Sequence, residues 1–301
     1  MTRFIDLAKH GKNNWWRYVL SLGLIVTFPL TAAIIAVEVL SLLGSQSRTA
    51  GAAPNDPIVS FLQLSGFDAS LIIGILLAVR IIHERPVLTI ITPNRSIDWK
   101  KIGKSFGLFF GLVALTTLVD YLLNPSTYQF SLNPERFLIF GPLAVVLIPI
   151  QTSSEELLFR GYLLQSLALV TRNRTALVLL SGVLFMIPHL ANPEMTAGFW
   201  SMAFYYFLVG GILTIVTLRS NSLETAMGIH AAINMFAALI VNYANSALET
   251  ESIFYCTQIE PIFTVVSFVA MALVFYLLMF RGSSNTEIIV PTEKDEDQSH
   301  C

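Results

Sequence analysis

Six polar side chains stand inside stretches that otherwise read as membrane. They are Glu155, Glu156 and Arg160 in "EELLFR", His189 in "LFMIPH", and His230 and Asn234 in "HAAIN". Charged groups in hydrocarbon are costly, and where a chain keeps them they are functional candidates with a partner to be named. Glu156 and Arg160 are four apart, so on a helix they share a face and can pair. Glu155 lies about 100° further round and can point elsewhere. His230 and Asn234 share a face in the same way. A carboxylate and two imidazoles around a wet pocket can activate water, with Glu155 as general base beside His189. Alternatively, Glu155, His189 and His230 could hold a divalent metal, zinc first among them, that lowers the pKa of bound water. An Asn amide beside a His can donate to a developing oxyanion. The Glu156–Arg160 pair would then support the site, fixing the helix and the charge of Glu155. Taken singly, each has a plainer reading. A lone membrane His is often an interhelical hydrogen bond, Asn234 is helix–helix glue, and Glu156–Arg160 is a structural pair. It is the joint pattern that points to chemistry.

The elements that must position these groups follow from composition. The 301 residues are 54% hydrophobic and only 13% charged, with mean hydropathy +0.66. A soluble domain carries about 25% charged residues, so lipid is the expected solvent. Net charge is −2, which leaves no basic footprint for nucleic acid. A span needs about 20 mostly apolar residues. Eight stretches are candidates: Tyr18–Leu43, Ile58–Ile82, Gly103–Leu123, Phe137–Val170, Ala176–Leu190, Phe199–Leu218, Leu223–Tyr243 and Pro261–Phe280. The expected fold is an all-α polytopic membrane bundle of about eight helices. Three helices in 1–136 carry no motif, 137–245 hold the candidate core, 246–281 supply the last helix, and 282–301 form a polar, acidic, disordered tail.

Orientation follows from Lys and Arg. With both termini cytoplasmic, all but Arg48 and Arg136 of the 18 Lys and Arg fall on the inner side. The Lys100/Lys101/Lys104 cluster reads as a topology and headgroup signal. Phe137–Val170 would be about 50 Å long as one helix, too long for a ~30 Å core. Pro142, Pro149 and Gln151–Ser154 offer places to bend or break it just before the glutamates. Glu155 and His189 are equidistant from residue 172 in the turn "TRNR", which puts them at similar depth in an antiparallel hairpin. Glu38 and Asp120 read as interfacial. Glu224 sits where a carboxylate offsets a helix dipole. His10, His83 and His300 fall in loops or the tail and look uninformative. Cys256 and Cys301 form neither a disulfide framework nor a zinc pattern.

The three motifs together resemble the CPBP intramembrane proteases, the group of type II CAAX prenyl endopeptidases and bacteriocin-processing or immunity proteins. EExxxR reads Glu155, Glu156 and Arg160; FxxxH reads Phe185 and His189; HxxxN reads His230 and Asn234. The resemblance covers roughly 140–245. It implies an eight-helix membrane protease with Glu155 and His189 acting on water and His230 with Asn234 stabilising the oxyanion. It implies a peptide or protein substrate at the membrane, in some members a prenylated CAAX terminus. The location would be an integral membrane, the plasma membrane in a prokaryote. Both a metallopeptidase and a metal-free glutamate mechanism fit the motifs, and there is no HExxH zinc pair. A non-catalytic scaffold or immunity protein would keep the same polar core. A proton-coupled transporter would also bury Glu and His, although no repeat symmetry of the kind many transporters show is visible.

Overall fold

In hydrocarbon every backbone polar group must be satisfied within the protein, which favours helices. The computed structural model describes residues 3–44 and 56–281, and there the chain is almost entirely helical. The helices are α1 (Trp15–Gly44), α2 (Pro57–Leu77), α3 (Trp99–Leu123), α4 (Pro134–Glu156), α5 (Leu164–Val170), α6 (Arg174–His189), α7 (Phe199–Ser220), α8 (Glu224–Leu239) and α9 (Pro261–Phe280). Among the described residues, six helical segments are long and apolar enough to cross a membrane. Two of the eight expected spans, α6 and α8, are shorter, at 16 residues each. The chain is thus an all-α, multi-pass integral membrane protein. The acidic tail 282–301, Arg48 and His300 lie outside the described residues.

Helices α4, α6, α7 and α8 make the centre, with α4 and α3 against α8, α6 against α7, and α2 against α4. Close approach depends on glycine. A Cβ on Gly210 of α7 would stand 2.8 Å from Gly182 Cα of α6, so only two glycines let these backbones meet. A Cβ on Gly228 of α8 would stand 2.4 Å from Ser105 Oγ of α3.

Several local expectations are corrected. Helix α4 does not break at Gln151–Ser154. It runs through Pro142 and Pro149 to Glu156, with Thr152 Oγ1 bonding back to Ile148 O at 3.0 Å and Ser154 Oγ to Gln151 O at 2.7 Å. Such back-bonds let Thr and Ser sit inside a helix. The irregularity comes after the glutamates, as a π-helical stretch Leu157–Leu163. The helix expected to reach Tyr243 ends at Leu239. Beyond it lies a small sheet that the all-α reading did not contain. Its strands are β1 (Tyr128–Phe130), β2 (Val241–Tyr243) and β3 (Phe254–Cys256), in the order β1-β3-β2. β1 pairs antiparallel with β3 (Tyr128↔Cys256) and β2 parallel with it (Val241↔Phe254). Cys256 is free and buried.

The end of the bundle that carries the α2–α3, α5–α6 and α7–α8 connections is also where the chain starts. The short helix Phe4–His10 buries Phe4 and Leu7 against α5. Its Asp6 meets Arg172 at 2.9 Å and Arg3 at 2.9 Å. Burial pushes the Asp6 carboxyl up, but Arg3, Arg172 and Lys9 together hold it below the usual range. His83, set aside in the sequence reading, is buried here. Its Nδ1 bonds Lys12 O at 2.8 Å, and its Nε2 lies 2.9 Å from Tyr162 Oη and 3.1 Å from Ser21 Oγ. Burial lowers its pKa. Glu224 does begin α8. It is fully buried, accepting from Asp98 N at 3.1 Å and facing Lys101 Nζ at 3.5 Å. Lys101 also donates to Ser222 Oγ at 2.6 Å, so one lysine of the cluster stitches α3 to the α8 start. Asp120 accepts from Tyr128 Oη at 2.6 Å and Asn124 Nδ2 at 2.9 Å.

Candidate active site

All six candidate residues meet in the middle of the bundle, three from α4 and its continuation, one from α6 and two from α8. Glu156 and Arg160 are completely buried and pair at 2.7 Å. Burying a charge is tolerable only when it is paired and hydrogen-bonded. Arg160 Nη2 also reaches the carbonyls of Val209 and Gly210, each at 3.4 Å. Its guanidinium lies 4.3 Å from the Phe185 ring centroid, a cation–π contact. The Phe of FxxxH therefore supports the Arg of EExxxR.

Glu156 Oε1 has a second partner, His230 Nδ1 at 2.8 Å. A carboxylate already paired with Arg160 accepts, so the imidazole Nδ1 carries the proton; Nε2 is the acceptor whenever the ring is neutral. The same argument fixes His189. Its Nδ1 lies 2.7 Å from Phe185 O, and a carbonyl can only accept. Both Nε2 atoms face one atom, Glu155 Oε2, from 3.8 Å (His189) and 3.9 Å (His230). These separations are too long for direct hydrogen bonds and leave room for a water that donates one hydrogen bond to Oε2 and the other to an imidazole Nε2. Glu155 Oε2 is buried and has no hydrogen-bond partner among the described residues.

The other oxygen of Glu155 is held. Gln151, one turn earlier on α4, donates its Nε2 to Glu155 Oε1. In turn it accepts at Oε1 from Asn234 Nδ2 at 2.8 Å. Asn234 thus reaches the carboxylate through Gln151 and keeps a second N–H. Gln151 is thus part of the site and not of a helix break, and its i, i+4 spacing to Glu155 is the sequence signal for that. Asp68 of α2 was passed over as well. It is buried, its Oδ1 is 2.8 Å from Ser154 Oγ, and Oδ2 has no partner among the described residues. Tyr206 of α7 stacks on His189 with ring centroids 4.2 Å apart, a contact that no local spacing announces.

The set does not fit a metal as it stands. Ligand atoms around a tetrahedral zinc are about 3.3 Å apart for bonds near 2.0–2.1 Å, closer than the 3.8 and 3.9 Å found here. Among the described residues no three His, Cys, Asp or Glu side chains converge tightly enough to hold an ion. A cavity of about 200 Å³ lies elsewhere, behind α8, lined by Ile233, Phe236, Tyr205, Phe268 and Met271 among others, and none of the six candidates borders it.

The family model for type II CAAX prenyl endopeptidase Rce1-like proteins matches residues 134–236, the segment that carries all six. A Bacillus subtilis (strain 168) protein named uncharacterized protein YyaK is 34% identical over 272 residues, covering 88% of this chain and 91% of the relative. The chain belongs to the Rce1-like family. Its bundle is accordingly a fold of the CAAX-type intramembrane protease kind, set in a lipid bilayer. The same family places it among the CPBP proteins that the motifs resemble. No solved structure matches the chain.

Proposed function

We propose that the chain is an intramembrane endopeptidase that hydrolyses a peptide bond of a membrane-associated protein or peptide. The observation that carries this is the convergence of Glu155 Oε2 with the Nε2 atoms of His189 and His230, both imidazoles holding an acceptor at Nδ1. A water between them gives one proton to Glu155 Oε2 and hydrogen-bonds an imidazole Nε2 with the other. Its oxygen lone pair then faces the scissile carbonyl carbon. Attack forms the C–O bond and an oxyanion. The second Nδ2–H of Asn234 would be the neutral donor for that charge, and His230 would join it when Nε2 is protonated. The C–N bond breaks as Glu155 returns the proton to the leaving amine. Glu156 and Arg160 hold the tautomer of His230.

The zinc alternative uses the same Glu155, His189 and His230, which would have to close by about half an ångström on the ion. A bound ion would supply Lewis-acid polarisation. The family description favours a CAAX-type substrate, C-terminal and prenylated, approaching from a cytoplasmic face on the Lys- and Arg-rich side. Purified protein in detergent should cleave lipidated CAAX peptides or apolar membrane peptides. The reading fails if Glu155→Ala and His189→Ala variants cleave as fast as the wild type. Retained activity after exhaustive chelation, with no metal by elemental analysis, would favour the metal-free route.

A further inference from the structure

His189 is the least anchored of the candidate groups. It is the last residue of α6, directly after Pro188, and its only hydrogen bond among the described residues is Nδ1 to Phe185 O. A single bond at a helix end does not by itself fix the plane of an imidazole. The ring lies between two others: Phe185 of its own helix, with centroids 4.5 Å apart, and Tyr206 of α7, stacked on it at 4.2 Å and 25°, which is the restraint that comes from another helix. Tyr206 is itself held. Its hydroxyl donates to Glu194 Oε1, and Asn192 Nδ2 reaches both Glu194 Oε1 (3.1 Å) and Tyr206 Oη (3.2 Å).

Glu194 is only 2% exposed and has no ion-pair partner among the described residues. A buried carboxylate without a cation is expensive unless its oxygens are filled with hydrogen bonds. They are: Oε1 takes Tyr206 and Asn192, and Oε2 takes Ala247 N at 3.1 Å. Ala247 lies in the connection between β2 and β3, which a second bond, Asn245 Nδ2 to Thr196 Oγ1 at 3.2 Å, also ties to the α6–α7 connection. Neither Glu194 nor Tyr206 belongs to the three motifs.

We propose that Tyr206 and Glu194 are positioning residues for His189: the Tyr206 ring fixes the imidazole plane, and Glu194 fixes Tyr206 by locking it to the β2–β3 connection. The inference rests on the protease reading for its kinetic consequence but not for its structural one. The deciding experiment is the ¹⁵N spectrum of histidine-labelled full-length protein in detergent, with the His189 signals assigned by a His189→Gln variant. Wild type should show His189 as one resolved Nδ1–H tautomer. Tyr206→Leu should give averaged tautomers. Tyr206→Phe, which keeps the ring, should restore most of the wild-type signature. Glu194→Gln should shift the spectrum in the same direction as Tyr206→Leu but less, because one amide oxygen cannot serve both Tyr206 and Ala247. In cleavage assays Tyr206→Leu should lower kcat about ten- to a hundredfold with KM unchanged. An unaltered His189 tautomer in Tyr206→Leu overturns the proposal. If that variant does not fold, an unaltered spectrum in Glu194→Gln overturns it instead. Absence of cleavage by the wild type would sink the protease reading, while the spectra still decide this inference.

Discussion

Two buried histidine clusters in this bundle look alike and differ in one atom. His83 and His230 each have Nδ1 fixed by an acceptor, Lys12 O in one case and Glu156 in the other. At His83, Nε2 is also filled, by the hydroxyls of Tyr162 and Ser21. At His230, and at His189 beside it, Nε2 faces an unfilled carboxylate oxygen across a gap of nearly 4 Å. A saturated network rigidifies. A gap of nearly 4 Å leaves room for a water between the groups. Histidine, burial and an Nδ1 held by an acceptor are common to both clusters. What differs is what faces Nε2: two hydroxyls at His83, and the Glu155 carboxylate at His189 and His230.

The largest test of that contrast is Glu155→Gln. Cleavage should fall about 10²- to 10⁴-fold, the range of a lost general base. Thermal stability should hold, because the amide oxygen of the variant can still accept from Gln151. A stable wild-type-like rate would place Glu155 with the structural groups. Next is Arg160→Met, which strands Glu156 in a dry site. Stability should drop by about 3–5 kcal/mol, read by thermal unfolding in detergent, and an unchanged melting temperature would refute the pairing. Third, His83→Ala leaves Lys12 O and two hydroxyls without their partner. About 1–3 kcal/mol should be lost with kcat unaffected, the mirror image of His189→Ala. Any fall in kcat at intact fold would blur the distinction between the clusters.

The smallest effect belongs to Asp6 at the chain start. Its folded pKa is depressed, so its contribution is complete above the ordinary value of about 3.9. It is lost as pH falls through the lower folded value. Asp6→Asn should flatten acid sensitivity in that window, followed by melting temperature from pH 5 to pH 2. An unchanged acid limb would mean that the contacts of Asp6 with Arg3 and Arg172 do not stabilise the fold.

What the sequence made legible was what repeats at short range. The Glu156–Arg160 pair follows from an i, i+4 spacing, and the level of Glu155 with His189 follows from counting along a hairpin. Gln151 obeys the same rule, but the Thr and Ser that follow it give the stretch the look of a helix break. The π-helical stretch Leu157–Leu163 carries no Pro or run of polar residues to announce it. Non-local features were invisible. The partners of His83 lie 62 and 79 residues away, and β1 pairs with a strand more than a hundred residues later. A three-residue strand at the end of an apolar helix has too little alternation to be told from that helix. Tyr206 meets His189 only because Gly182 and Gly210 let α6 and α7 close up.

The distribution of the candidate groups over α4, α6 and α8 has a consequence in time. As the chain emerges from the ribosome, Glu155 enters the bilayer long before His230 exists. The half-made protein therefore holds a lone acid, then an acid and one imidazole, and no complete set until α8 has threaded between α3 and α4. The candidate site is therefore among the last features such a chain completes.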